Sequence, residues 1–138
     1  MNIKTLYRLL FLLIAVSACK QKTVELEFTP PANAIAAAEA VEHIGEERTV
    51  YGLVVRAEYY SWVRWQPTFI NLDEPQPDQI FTVVIWGIDR EKFGIPPEDR
   101  FMDKMISVTG LIEEESGVPQ IEVSSPSQIQ ILATSRVE

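Results

Sequence analysis

The chain contains a single cysteine, Cys19, and a single histidine, His43. One cysteine excludes an internal disulfide, and the two residues together cannot build a Cys-rich or His-rich metal site. There is no Gly-rich phosphate loop and no serine in a nucleophile elbow. With no second Cys or His to complete a nucleophile–base pair, the chain reads as non-enzymatic, and no cofactor is implied. Carboxylate pairs are easy to find among 20 acids and carry no weight by themselves. Positive charge is also scarce. Residues 1–18 hold Lys4 and Arg8 and no acid, so the remainder has ten basic and twenty acidic side chains. That balance repels phosphate on average and disfavours wholesale binding to nucleic acid or an anionic membrane, though it leaves room for a local basic groove. A chain of 138 residues that is 46% hydrophobic suits one domain with a real core, and not two.

The longest apolar stretch, Leu9 to Val16, is far short of the ~20 residues a membrane-spanning helix needs. Basic residues precede it and small residues follow, the order of a secretory signal. Its end, Val16-Ser17-Ala18-Cys19, resembles a bacterial lipobox. The resemblance implies cleavage after residue 18, acylation of Cys19 (palmitate among the chains) and firm anchoring to a membrane of the cell envelope. Lys20 in place of Asp implies, by the same resemblance, the outer membrane of a host with two membranes. The alternative is a plain secretory signal with an incidental cysteine. Residues 19–33 are polar and proline-bearing and read as a tether, reaching at most ~45 Å when extended.

Residues 34–132 read as the folded domain, and 133–138 as a loose end. Asn33 is placed to cap a helix to about His43, with Ala34, Ala37, Ala38, Val41 and Ile44 on one face. A first strand follows from about Arg48 to Tyr60. Val50, Gly52 and Val54 share one of its faces, and Tyr51, Leu53, Val55 and Ala57 the other. Apolar residues on both faces suit a strand that serves two sheet layers, with Gly52 at the turn between them. Thr68 to Leu72 and Ile80 to Trp86 read as the second and third strands, separated by the proline-rich turn Asp73 to Asp78. Asp89 to Phe93 and Pro96 to Asp99 suggest short helical turns. Met105 to about Glu113 is the fourth strand. It echoes the first, Val108-Thr109-Gly110-Leu111 matching Val50-Tyr51-Gly52-Leu53. Glu114 to Gly117 turns the chain into a fifth, Gln120 to Val123. Ile129 and Ile131 add a last alternating pair. The class is mainly β. Five strands with a helical segment between the third and fourth is the order of an OB-fold barrel, in which the first and fourth are neighbours and the two glycine bends should lie side by side.

Four segments carry a family resemblance as well: Pro67 to Pro75, Phe81 to Phe93, Val108 to Ile112, and Val118 to Ile129. The most specific are Pro67-Thr68-Phe69-Ile70-Asn71-Leu72 and the closing run from Pro119 to Ile129. They are similar to a family of small bacterial OB-fold domains described as nucleic-acid-binding-like. The resemblance implies single-stranded nucleic acid as a ligand. The chain departs from the family in its aromatic first loop, which relatives make Gly-rich or basic, and at Gln76 and Asp78.

OB-folds bind across their second and third strands, between the first-to-second and fourth-to-fifth loops. Here the first loop supplies Arg56, Tyr60, Trp62, Arg64 and Trp65, and the second strand supplies Phe69 and Asn71; Thr82 and Val84 join that face in one register. Aromatic rings interleaved with arginine suit base stacking, and suit equally an interface hot spot with an envelope protein partner. The same rings are also ordinary packing groups. Glu113, Glu114 and Glu115 face them as an acidic hairpin or as a merely solvated tip. Asp73, Glu74 and Asp78 read as a solvated turn before a hard-cation site.

Overall fold

Every strand of the domain can be traced to one thirteen-residue segment that changes partners half-way. The computed structural model describes residues 27–134. The expectations for the signal segment, for Cys19 and for residues 135–138 of the loose end lie outside the described residues, while Ala133 and Thr134 are strand. Strand β1 (Ile35–Ala36) is a two-residue parallel bridge onto β2 (Glu47–Tyr59). The remaining strands are β3 (Thr68–Leu72), β4 (Thr82–Ile85), β5 (Lys104–Leu111), β6 (Glu113–Glu115), β7 (Val118–Glu122) and β8 (Ile129–Thr134). Residues Glu47 to Leu53 of β2 pair antiparallel with β5, whereas Val54 to Tyr59 pair antiparallel with β3. β3 pairs antiparallel with β4, β4 parallel with β7, and β7 antiparallel with β6. β6 continues β5 past one residue, Ile112, whose N–H donates to Glu46 and whose carbonyl accepts from Gly45. The ladder therefore returns to its start and closes. The barrel is an OB-fold. Its core is the inward row Val50, Val54, Ile70, Leu72, Val83, Ile85, Ile106, Val108 and Ile121, sealed by Phe81, Phe93 and Phe101.

The five expected strands are β2, β3, β4, β5 and β7. β1, β6 and β8 are additional, and β8 gives the Ile129–Ile131 alternation a strand of its own against β5. The helical insert between β4 and β5 comprises α1 (Gly87–Arg90), a 3₁₀ turn (Glu91–Phe93) and α2 (Pro97–Phe101). Trp86 occupies the cap of the first piece.

Three expectations need correction. The amino-terminal helix is a 3₁₀ helix, Ala37–His43, entered from Ala36, while Asn33 sits in a left-handed turn at φ 64°. A period of three, rather than 3.6, buries Ala37 and Ala40 and leaves Val41 58% exposed, so the expected apolar face does not form. Glu114 and Glu115 are not a turn. They are strand, and the turn is Ser116-Gly117, both at positive φ as a two-residue hairpin requires. The two glycines are not side by side either: β2 and β5 are neighbours, but Gly52 lies opposite Ile106, and Gly110 opposite Arg48.

Each glycine is explained by what crosses over it. A Cβ on Gly52 would stand 2.9 Å from the Leu72 Cβ and 3.1 Å from both Asp73 carboxylate oxygens. That close approach lets Asp73 clamp the changeover: its N–H donates to the Leu53 carbonyl and its Oδ1 accepts from the Leu53 N–H, both at 2.8 Å. Asp73 holds φ 64°, a conformation Asp tolerates better than Ala. Asp73→Ala is therefore expected to cost about 1–2 kcal/mol by losing the carboxylate acceptor and straining the backbone. Urea denaturation of wild type and variant measures it.

Candidate binding face

Alternation along three adjacent strands places one set of side chains outside the barrel. Arg56 and Glu58 of β2 lie opposite Asn71 and Phe69 of β3, which lie opposite Thr82 and Val84 of β4, although Val84 is covered and offers no surface. The parallel β4–β7 pairing then sets Gln120 across from Thr82 and Glu122 across from Val84. This is the outer face bounded by the loop at residues 60–66 on one side and by the β6–β7 hairpin on the other.

The loop is built to hold its rings out. The Tyr60 N–H donates to Pro67, Val63 to Tyr60 and Gln66 to Val63, while the Gln66 amide reaches the Ser61 carbonyl. Gly87 donates its N–H to the Trp65 carbonyl at 2.9 Å, and a Cβ there would stand 3.0 Å from that same oxygen. The loop thus rests on the end of β4. Trp65 and Gln66 both take positive φ, 67° and 46°, a costly conformation that these bonds hold in place. As a result Trp62 is 74% and Trp65 67% exposed.

The sequence candidates fall into two groups. Tyr60 packs between Trp62 and Phe69, each ring pair 5.4 Å apart, so that the three form a continuous aromatic row running onto the β3 surface. The Tyr60 hydroxyl donates to Glu58 at 3.1 Å. Burial first, and then that carboxylate, raise the Tyr60 pKa. Arg56 also binds Glu58, lowering the Glu58 pKa, and its own charge is answered there. Trp65 lies apart from the row, with the Arg64 guanidinium 4.8 Å over its ring. Asn71 is nearly buried and donates to the Thr82 hydroxyl at 3.1 Å.

Two concavities flank the row. One, of about 240 Å³, runs over Phe69, Asn71, Thr82 and Gln120 toward Gln79 and Glu115. The other, of about 420 Å³, is apolar and lies between Trp65, Trp86 and Ile88, the last 87% exposed. Sequence reasoning missed Gln79, Gln120, Trp86 and Ile88 as surface-forming residues. The parallel pairing of third and fifth strands in an OB-fold was the available signal for Gln120. Nothing local marked Ile88 as exposed.

Charge over the described residues is predominantly negative. The described residues carry seven basic against eighteen acidic side chains. Arg48, Arg56, Arg90 and Lys92 are in ion pairs. Asp73 is engaged with Leu53, and no three His, Cys, Asp or Glu side chains among the described residues group as a metal site. Among the described residues no helix is long and apolar enough to cross a membrane.

No family model matches the chain, and no curated protein matches its sequence. Among solved structures it is similar to a chain described as an aspartyl-tRNA synthetase from Leishmania major Friedlin. That match has 13% identity and a TM-score of 0.48, and covers 83% of this chain and 22% of that one. The aspartyl tRNA synthetase from Entamoeba histolytica is similar at 12% identity and a TM-score of 0.48, over 82% of this chain and 22% of that one. The chain thus spans about a fifth of these enzymes' length. The OB-fold assignment rests on the barrel's own pairing.

Proposed function

We propose that the chain is a non-enzymatic binding module that takes an extended polymer across the aromatic row and the outer face of β3 and β4. The observation that carries this reading is the exposure of Trp62 and Trp65 on a loop held rigid by five hydrogen bonds. Large rings kept in water at the rim of a sheet face are poorly explained by packing and well explained by stacking on a ligand. Single-stranded nucleic acid is the polymer that the family resemblance suggests. The charge distribution weighs against tight binding of that ligand, because Arg56 is already paired and Glu115 stands in the adjoining groove. Tryptophan emission titrated with oligo-dT at low salt tests it. The expected affinity is no tighter than ~10⁻⁴ M, the weak end of non-specific binding. A tighter response that weakens steeply with salt would make nucleic acid the natural ligand.

A second reading, docking onto an envelope protein, is favoured by the apolar cleft of Trp65, Trp86 and Ile88. Pull-down from detergent-solubilised envelope with wild type and with Trp65→Ala tests it: equal capture by both counts against the cleft.

The lipid tether to the envelope completes the proposal and rests on Val16-Ser17-Ala18-Cys19. Cys19→Ser is expected to move the protein from the membrane fraction to the soluble one and to abolish incorporation of labelled palmitate. Membrane retention of an unlabelled wild type would contradict acylation.

A further inference from the structure

We infer that the groove over β3, β4 and β7 is a saccharide-binding site, one that takes an uncharged, hydroxyl-rich sugar unit of a longer chain. The inference rests on the binding-module reading and names its ligand class. The groove's polar wall is made of neutral amides and hydroxyls, Asn71, Gln79, Thr82 and Gln120 among them, with one carboxylate, Glu115, and one ring, Phe69. No cation lines it, so a phosphate or sulfate would enter without a counter-charge beside a glutamate.

An extended peptide main chain is also a poor fit. Peptides gain affinity on sheets by adding to a free strand edge. β4 is paired on both sides, to β3 and β7, and β7 on both sides, to β4 and β6. Recognition here falls to side chains, and the side chains need a partner that both donates and accepts. Asn71 spends an N–H on the Thr82 oxygen. The Gln79 side chain lines the groove, while its Oε1 is buried with no hydrogen-bond partner among the described residues. Hydroxyl groups answer this mixed demand: they donate to the Glu115 carboxylate and accept from the amide N–H groups of Gln120. Phe69 offers its ring to the apolar C–H face of a sugar, and the aromatic row through Tyr60 to Trp62 continues that platform out of the groove. A volume of about 240 Å³ is below the range of most drug-sized sites, in keeping with a single ring of a chain that extends beyond it.

The test is a side-chain amide NMR titration of the ¹⁵N-labelled domain with cellohexaose and chitohexaose, and in parallel with oligo-dT and hexalysine. At least one neutral oligosaccharide is expected to shift the Asn71, Gln79 and Gln120 amide signals saturably and independently of salt. Gln120→Leu is expected to weaken that binding roughly tenfold while leaving the backbone spectrum and the melting temperature unchanged, because it removes a half-buried amide that lines the groove across from Thr82. Groove shifts with oligo-dT or hexalysine alone would overturn the saccharide assignment and leave the binding-module reading standing. No shift of groove amides with any probe would overturn the assignment. If tryptophan emission were also unmoved by all four, the module reading would fail with it.

Discussion

Gly110→Val is expected to lower stability by about 3 kcal/mol, the upper end for overpacking a well-filled site, and to drop the melting temperature by roughly 10–20 °C. Gly110 is buried where β5 runs under β7. A Cβ built there meets the Ile121 Cγ2 at 2.7 Å, closer than carbon atoms approach, with the Gln128 amide at 3.4 Å behind it. Ile121 is fully buried in the core and has no free direction in which to move. The Gln128 amide also donates to the Thr109 carbonyl, so the strain reaches the pin that holds the last 3₁₀ turn (Pro126–Gln128) on the barrel. A double-mutant cycle isolates the cause. Ile121→Ala alone should cost about 2–5 kcal/mol by leaving a cavity. Gly110→Ala with Ile121→Ala should cost clearly less than the two single changes together, because the new methyl group enters space that the isoleucine vacated. Additive losses would show that the β5–β7 crossing is not the point of close packing.

Arg90→Ala is the second large effect, expected at about 2–4 kcal/mol. Arg90 fastens the helical insert to the barrel. Its guanidinium donates to the buried Thr68 hydroxyl, forms a two-pronged ion pair with Glu98 at 2.7 and 3.0 Å, and lies 3.5 Å over the Tyr59 ring. Its side chain is only 15% exposed, so truncation strands both Glu98 and Thr68. The pair also sets an acid limit. Burial tends to raise the Glu98 pKa, but the Arg90 hydrogen bonds and charge, with the Glu98 backbone bond, outweigh it and leave the value below its ordinary 4.5. A carboxylate depressed in the folded state stabilises above its unfolded pKa. That contribution is fully present at neutral pH and disappears as pH falls from about 4.5 through the folded value. Glu98→Gln should therefore flatten the acid side of the stability–pH curve while lowering stability at pH 7. An acid limb of unchanged steepness in Glu98→Gln would remove the pair from that role.

Where hydrophobic alternation and β-branching coincide, the sequence is close to the structure. Thr68 to Leu72 is the strand expected, and the partner change near Gly52 follows from apolar residues on both faces of β2. What local pattern cannot express is longer-range register. The echo of Gly52 in Gly110 marks two close approaches on one pair of strands, but the antiparallel register sets them at different heights, one under Asp73 and one under Ile121. A 3.6-residue period drawn through Ala37 to Ile44 failed because the segment winds with three residues per turn, which turns Ala37 and Ala40 inward and Val41 out. Glu113 to Glu115 carries no β signal at all, and is strand because β7 offers its edge. The site divides the same way. The aromatic loop is visible in composition, yet only the fold tells that Trp62 and Trp65 face water while Tyr59 lies under Arg90. Arg56 reads as a free cation in sequence and is neutralised by a residue two positions on.

That the rings on the loop at residues 60–66 form the working edge of the binding face is tested by calorimetric titration of wild type and the Trp62→Ala/Trp65→Ala double variant with the same oligosaccharide and oligonucleotide panel. Both side chains are exposed, so the double variant should fold with near-wild-type stability. Wild type is expected to give saturable heat with one of these polymers, and the double variant an affinity at least tenfold weaker, from about 1–3 kcal/mol per lost stacking ring. Equal affinity in the two proteins would contradict it.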